Sequence, residues 1–270
     1  MKQYMMFDEK YKNRFLKMNF GEDFSVRRSI SFAVQNRPLT NLIFDETICN
    51  KHVVVDIENC TEVEIDAVFL KSVVGSKLVI NVGKNSGINV VFCEISHLEV
   101  ELDIEINLLA STTFADVNLV SIATETSSKT FNIRINHLAE RTSSNIDLKG
   151  ISKDSSVIRF YPSSHIATKT PFCSAMQENR IVSLNDDSHG IIKPMLVINN
   201  NEVKAKHSAA LGSVKDDEIF YLLSRGINES VARYLIVKGL VAGTINKLPE
   251  IEEKHKFNIV FERGISYVRR

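Results

Sequence analysis

From about position 52 to about position 160 the chain repeats one device, a short run in which apolar and polar residues alternate, followed by a turn. The runs include Val53, Val55 and Ile57; Val63 and Ile65; Leu78, Ile80 and Val82; Ile88, Val90 and Phe92; and Leu98 to Ile106. Val117 and Leu119, Phe131 to Ile135, Ile146 and Leu148, and Val157 with the residues around Phe160 continue the series. A period of two rich in β-branched residues predicts strands. Gly75-Ser76, the segment Gly83 to Gly87, Thr126-Ser127-Ser128 and Lys153-Asp154-Ser155-Ser156 supply turn chemistry between them. No helical pattern separates the runs, so α/β crossovers are excluded and an all-β sandwich, barrel or solenoid remains. The turns lack the two-residue Asn-Gly or Asp-Gly hairpin signature, which weakens the antiparallel options and leaves room for a parallel solenoid. No clean internal repeat motif is evident.

After about 212 the period becomes 3.6. Ser213 with the acids Asp216, Asp217 and Glu218 resembles a helix start, Ile219, Phe220, Leu222 and Leu223 form an apolar face, and Gly226 is placed to stop the helix. Asn228 is the predicted N-cap of a second helix running to about Ile245. A third short helix is expected after Pro249, and the tail from Lys256 reads equally as strand or helix. In the second helix Val231, Tyr234, Leu235, Val241 and Ile245 make one stripe, while Ile236, Val237 and Leu240 widen it around the axis. A helix apolar on more than one side is covered on more than one side, either by the β body and the third helix or by a partner protein. The division expected from these patterns is a short N-terminal segment 1–50, a β core 51–212 and a helical region 213–270.

Composition excludes several functions. The 33 basic and 33 acidic side chains cancel, so there is no global basic footprint for nucleic acid. The cancellation is uneven, because the middle of the chain is acidic and residues 201–270 are mildly basic, an asymmetry that helps orient partners on encounter. The N-terminus carries charges throughout and no segment approaches the ~18 consecutive apolar residues of a membrane span, so a cytoplasmic protein is expected. The isolated Cys49, Cys60, Cys93 and Cys173 form no Cys-x-x-Cys pair and are expected to be buried reduced thiols. No P-loop, Rossmann fingerprint or nucleophile elbow is present, so any ATP hydrolysis belongs to a partner.

The segment 177–245 carries a more specific signal. Gln177-Glu178-Asn179-Arg180, then Lys193-Pro194 with an apolar strand, then Val203-Lys204-Ala205-Lys206-His207, then Phe220-Tyr221-Leu222 running into Ser224-Arg225-Gly226-Ile227, resembles the C-terminal signature of the SufB/SufD family of iron-sulfur cluster assembly proteins. Ile135-Asn136-His137, Lys149-Gly150 and Ser164-His165 extend the resemblance more weakly. The resemblance implies a right-handed parallel β-helix with a small helical C-terminal region, acting as a non-catalytic subunit beside a SufB-like chain and the ATPase SufC. It implies that β-helix ends pair across the subunit interface and that the helical region receives the ATPase, with Phe220, Tyr221, Arg225, Ile236 and Leu240 as the expected contacts.

The histidine of the motif, His207, stands where SufD-like members place histidine and SufB-like members cysteine. Neutral imidazole is a borderline ligand for iron, and His207 is expected to offer one ligand to iron or an iron-sulfur cluster held transiently and shared with the partner. Ser208-Ala209-Ala210 replaces the family's Gly-Ala-Thr, and Ile191-Ile192 precedes Lys193-Pro194 where the family has Lys or Thr before Lys-Pro. The chain is expected to lack most of the family's N-terminal helical region.

A homodimeric scaffold carrying two SufC copies is the alternative within the family, and a β-helical carbohydrate-active enzyme the alternative outside it. Asp186-Asp187-Ser188-His189 has the ingredients of a hydrolase, but consecutive strand residues face opposite ways, which favours a polar turn. Glu62, Glu64 and Asp66, and likewise Glu99, Glu101, Asp103 and Glu105, put carboxylates in a row on one strand face. Stacked in register they would repel about 4.8 Å apart, so the rows are expected to be offset, solvated or matched by lysine.

Overall fold

The computed structural model describes residues 15–17, 29–35, 39–44, 52–58, 62–69, 73–248, 259 and 261. In chain order the strands are β1 (Phe15–Lys17), β2 (Ser29–Gln35), β3 (Leu39–Phe44), β4 (His52–Glu58), β5 (Glu62–Phe69), β6 (Val73–Val82), β7 (Gly87–Glu94) and β8 (Val100–Leu108). They continue as β9 (Phe114–Ala123), β10 (Ser128–His137), β11 (Ser143–Ser152), β12 (Val157–Ile166), β13 (Ser174–Ser183), β14 (His189–Ile192), β15 (Met195–Ile198) and β16 (Lys204–Ser213). The helices α1 (Asp216–Ser224) and α2 (Glu229–Lys247) follow.

Strands alternate between two parallel sheets, one ordered β1-β3-β5-β7-β9-β11-β13-β16 and the other β14-β12-β10-β8-β6-β4-β2 with β15 also on β12. The molecule is therefore a β-solenoid, the parallel option that the missing hairpin turns left open. The strands β1 to β3 belong to the same two sheets, so the pairing reaches back past residue 51, where the β core was expected to begin. Cys49, Cys60, most of the expected third helix and the C-terminal tail fall outside the described residues.

From β3 to β13 the coils lengthen along the chain. Leu39 stands opposite Glu62, a step of 23 residues; Gly87 opposite Phe114, a step of 27; and Ser143 opposite Ser174, a step of 31. This drift hides the repeat from a fixed-period search, yet one corner has a conserved geometry. Asn85, Thr112, Arg141 and Phe172 each adopt positive φ, at 54°, 65°, 57° and 63°. Each is followed by Ser86, Thr113, Thr142 or Cys173, whose hydroxyl or thiol donates to a nearby carbonyl, Lys84, Ala110, Ala139 or Thr170. The repeat lies in backbone conformation and hydrogen bonding, and different residue types fill it.

Inward-facing residues of both sheets form one apolar core, including Val90, Leu119, Phe131, Ile133, Ile146, Leu148 and Phe160. A second core lies outside the first sheet, where Val91, Cys93, Val120, Ile122, Ile151 and Val182 meet Val237, Val241 and Ile245 of α2. The first sheet is thus covered on both faces beneath the helices, which explains the unalternating run Val90-Val91-Phe92-Cys93. Lys247 at the end of α2 reaches Asp116 at 3.1 Å and Asn118 at 2.8 Å on β9, fixing the helix to the sheet.

On the outer face of the second sheet the carboxylates of β8 are flanked by complementary groups. Lys77 of β6 is 3.0 Å from Glu105, and Asn132 of β10 donates to Asp103 at 2.6 Å. Beside them runs a ladder: Asn81 donates to Asp56, Asn107 to Asn81 and Asn136 to Asn107, at 2.8, 2.9 and 2.8 Å. Side-chain amides stacked at the strand spacing act as donor to one neighbour and acceptor to the next, repeating laterally what the backbone does.

Candidate functional site at the open end of the solenoid

The strand β16 is at the edge of the first sheet, paired with β13 alone. Ala175, Gln177, Asn179 and Ile181 of β13 point into the solenoid and are buried. Their register partners Ala205, His207, Ala209 and Leu211 therefore point the same way, yet among the described residues no further coil covers them. His207 is exposed, and Leu211 keeps 55% of its surface in solvent. Among the described residues the solenoid therefore ends in an open face with an unpaired ten-residue backbone edge.

The opposing edge is made by β14 and β15. Pro162 of β12 stands opposite Pro194, at the same step that pairs Phe160 with Ile192 and Ser163 with Met195. Neither proline has an N–H to give, so the ladder is interrupted there and the edge divides into two short strands. The Lys193-Pro194 pair singled out in the sequence is this interruption.

The segment Gln177 to Arg180 is divided by strand alternation between two places. Gln177 and Asn179 face the solenoid interior, 3% and 1% exposed. Glu178 faces outward and meets Lys149 at 3.1 Å, while Arg180 lines a cleft of about 280 Å³ with Val182, Val214, Glu218, Ile236 and Leu240 under the helices. One strand thus touches both the open end and the helical region. Sequence reasoning named the segment but not the inward placement of Gln177 and Asn179. The signal was there: two amides on the inward parity of a strand whose neighbours in the column, Ile146 and Leu148, are apolar.

Around the end of the solenoid the interior becomes polar. Gln177 Nε2 donates to Ser164 Oγ at 2.9 Å and to the Met195 carbonyl at 3.2 Å, and Asn179 Nδ2 donates to the Ser208 carbonyl at 3.2 Å. Gln177 Oε1 and Asn179 Oδ1 are buried without a partner among the described residues. One coil back, the buried His137 ring has Thr142 Oγ1 at 2.8 Å from Nδ1 and Ser144 Oγ at 2.9 Å from Nε2. Burial pulls its pKa down to about 4, against a smaller opposing effect of the Thr142 backbone, so it is neutral at physiological pH. Burial, with Arg134 nearby, also lowers the pKa of His165.

The expected partner contacts divide into two kinds. Phe220 and Tyr221 on α1 are 72% and 57% exposed, and the Arg225 guanidinium lies 5.2 Å from the Tyr221 ring centroid. Ile236 and Leu240 are half-buried in the cleft against the body, and Leu235 is the apolar residue α2 turns outward, at 42% exposure. Asn228 caps α2 as the sequence predicts, its Oδ1 accepting from Val231 N at 2.9 Å. Gly226, at φ 79°, ends α1, with Gly226 N donating to Leu223 O and Ile227 N to Leu222 O. Tyr234 meets Phe261 with ring centroids 6.2 Å apart, so α2 is covered from a second side by the chain itself.

Asp186 and Asp187 are exposed in a turn closed by Ser188, whose hydroxyl donates to the Asn185 carbonyl. Among the described residues no three histidine, cysteine or acidic side chains converge on a point that could hold a metal ion. Cys173 is buried, its thiol donating to the Thr170 carbonyl at 3.2 Å, and Cys93 lies in the core under α2. Among the described residues no helix is long and apolar enough to cross a membrane.

Comparison with known proteins agrees with the resemblance read from the motifs. The family model described as "SUF system FeS cluster assembly, SufBD core domain" matches residues 50–240. The iron-sulfur cluster assembly protein SufD of Bacillus subtilis is 30% identical over 159 residues, covering 59% of this chain and 36% of that protein. A SufBD family protein of Methanothermobacter thermautotrophicus is 36% identical over 101 residues, covering 37% of this chain and 24% of that protein. SufB of Bacillus subtilis is 31% identical over 113 residues, covering 42% and 24%. The matched region thus spans about a third or less of these relatives' length. With a family match over most of its length and a β-solenoid ending in two helices, the chain belongs to the SufBD core family of the SUF iron-sulfur cluster assembly system.

Proposed function

We propose that this chain is a non-catalytic, SufD-like subunit of a cytoplasmic iron-sulfur assembly scaffold, pairing end to end with a SufB-like subunit and carrying a SufC-like ATPase on its helices. The observation that carries the reading is the open end: an edge strand, unpaired among the described residues, whose inward residues Ala205, His207, Ala209 and Leu211 stand ready for a further layer. A partner strand added there gains main-chain hydrogen bonds along β16 and covers the exposed interior. His207 then lies within the junction. As an imidazole that joins no group of three or more metal-ligating side chains among the described residues, it supplies a single ligand to iron or a nascent cluster, the cargo of assembly, and the partner supplies the others.

The exposed Phe220, Tyr221 and Leu235, with the cationic Arg225 beside Tyr221, offer the ATPase an aromatic anchor with a polar rim. The carbohydrate-enzyme alternative loses support because Asp103 and Glu105, the last two of the carboxylate row, are engaged by Asn132 and Lys77.

The test is co-expression with SufB-like and SufC-like partners, native mass measurement, and iron loading. A mixed complex that loads iron, and that His207→Ala leaves assembled but unloaded, is the expected result. A complex of this chain with the ATPase alone would replace the SufB-like partner by a second copy. Normal loading of His207→Ala would remove the histidine from the site.

A further inference from the structure

We propose that Gln177 is the positioning residue for His207, accepting at Oε1 the imidazole N–H that a metal does not use; the proposal rests on the reading of His207 as a ligand. In the column that ends at His207, the coils beneath contribute Val117 and Ile146, and the last covered coil contributes Gln177. An amide in place of an aliphatic side chain needs partners for three hydrogen-bonding directions or more. Its Nε2 is held by Ser164 Oγ and by the Met195 carbonyl, which only accepts, so the nitrogen end of the amide is fixed toward the second sheet. Oε1 is left buried and unpartnered among the described residues. A buried acceptor without a donor is unfavourable, and such groups in native proteins call for a specific explanation.

His207 is the residue directly across the strand pair, on the same face, at the ordinary spacing of about 4.8 Å between parallel strands. Among the described residues its ring has no hydrogen bond, and the open end leaves it free to turn inward when a partner covers it. Histidine bound to a metal through one nitrogen almost always donates the other N–H to a carbonyl or carboxylate, which fixes tautomer and ring orientation. Gln177 offers such a carbonyl, already oriented. Asn179 provides the internal comparison: similarly buried, with an equally unpartnered oxygen among the described residues, but facing Ala209, whose side chain has no proton to give.

The experiment uses the full chain in its assembled complex, with ferrous ion as the probe under anaerobic conditions. Gln177→Met, of similar shape but without an acceptor, is expected to weaken iron binding about 10- to 100-fold with the complex mass unchanged. Gln177→Glu, which restores an acceptor at the same reach, should recover most of the affinity. Asn179→Leu should leave affinity within about threefold. Loading in Gln177→Met equal to wild type, while His207→Ala fails to load, overturns this inference alone. Normal loading of His207→Ala overturns the reading beneath it. Equal losses from Gln177→Met and Asn179→Leu would mark a packing effect and also overturn the proposal. Should Gln177→Met not fold, 15N-histidine spectra of the zinc-loaded wild-type complex decide: one neutral His207 tautomer with a protected N–H is expected, and a freely exchanging N–H refutes it.

Discussion

Lys129 Nζ lies 2.6 Å from Glu94 Oε2, and neither side chain is exposed. The ammonium also donates to the Ser96 and Ile122 carbonyls, and the carboxylate accepts from Ser96 N, Ser96 Oγ and Ser121 Oγ. Burial lowers the Lys129 pKa, and Glu94 opposes that shift by attraction and hydrogen bonding. A desolvated pair persists when every donor direction is used, and this one uses all three of the ammonium's hydrogens.

Removing one member leaves the other charged and unpaired. Lys129→Met is expected to cost about 3–5 kcal/mol of unfolding free energy, whereas Lys129→Met combined with Glu94→Leu should recover much of it. Urea unfolding of the three variants measures the difference, and a double variant no better than the single would show that the pair is not the source of the loss.

The His137 ring gives a pH dependence of defined sign. Its folded pKa of about 4 lies below the ordinary 6.5, so between these values the unfolded chain binds a proton the folded chain does not. Stability from this group is therefore complete above pH 6.5 and falls as pH drops toward 4, by roughly 3 kcal/mol in all. Unfolding curves from pH 7 to 4 should flatten by that amount in His137→Gln; an unchanged slope would assign the acid sensitivity elsewhere.

The helices predict a division between folding and partner binding. Leu235→Asp and Phe220→Asp, on exposed positions, should weaken ATPase binding while changing stability by no more than about 0.5 kcal/mol. Val237→Asp, in the core between α2 and the sheet, should unfold that region. Ile236→Asp, half-buried in the cleft, should do some of both. Thermal melts beside binding measurements separate these outcomes, and equal binding by Leu235→Asp and the wild type would exclude the outer face of α2.

In the amide ladder, Asn107→Asp retains the acceptor for Asn136 but cannot donate to Asn81. A loss of about 1 kcal/mol is expected near neutral pH, shrinking in acid as the carboxyl regains a proton to donate. A pH-independent loss would point to backbone effects.

Much of this was legible in residue order. Alternation located the strands from Val53 to Phe160, Asn228 and Gly226 marked helix ends at which the chain does turn, and the missing hairpin residues left the parallel arrangement open. The coil repeat was not legible, because its step drifts and its corner is filled by asparagine, threonine, arginine or phenylalanine at positive φ, where glycine is the usual signal. Nor was the outward side of α2. Periodicity gives an apolar arc, but only the packing of Val237 and Val241 on Val120 and Ile122 decides that Ile236 turns toward the body and Leu235 away. His207 was named from its motif; that Gln177 shares its column required the strand register.

From β3 to β13 the step between successive coils of the first sheet grows from 23 to 31 residues, so the described coils widen toward the C-terminal end of the solenoid. On the proposed reading, in which two chains join at that end, a wide rim would meet another wide rim and the union would cover the β16 edge of each, so the edge that could recruit further strands would be used up in one pairing. The taper would then act as a counting device, turning an edge open to repeated addition into one that accepts a single companion.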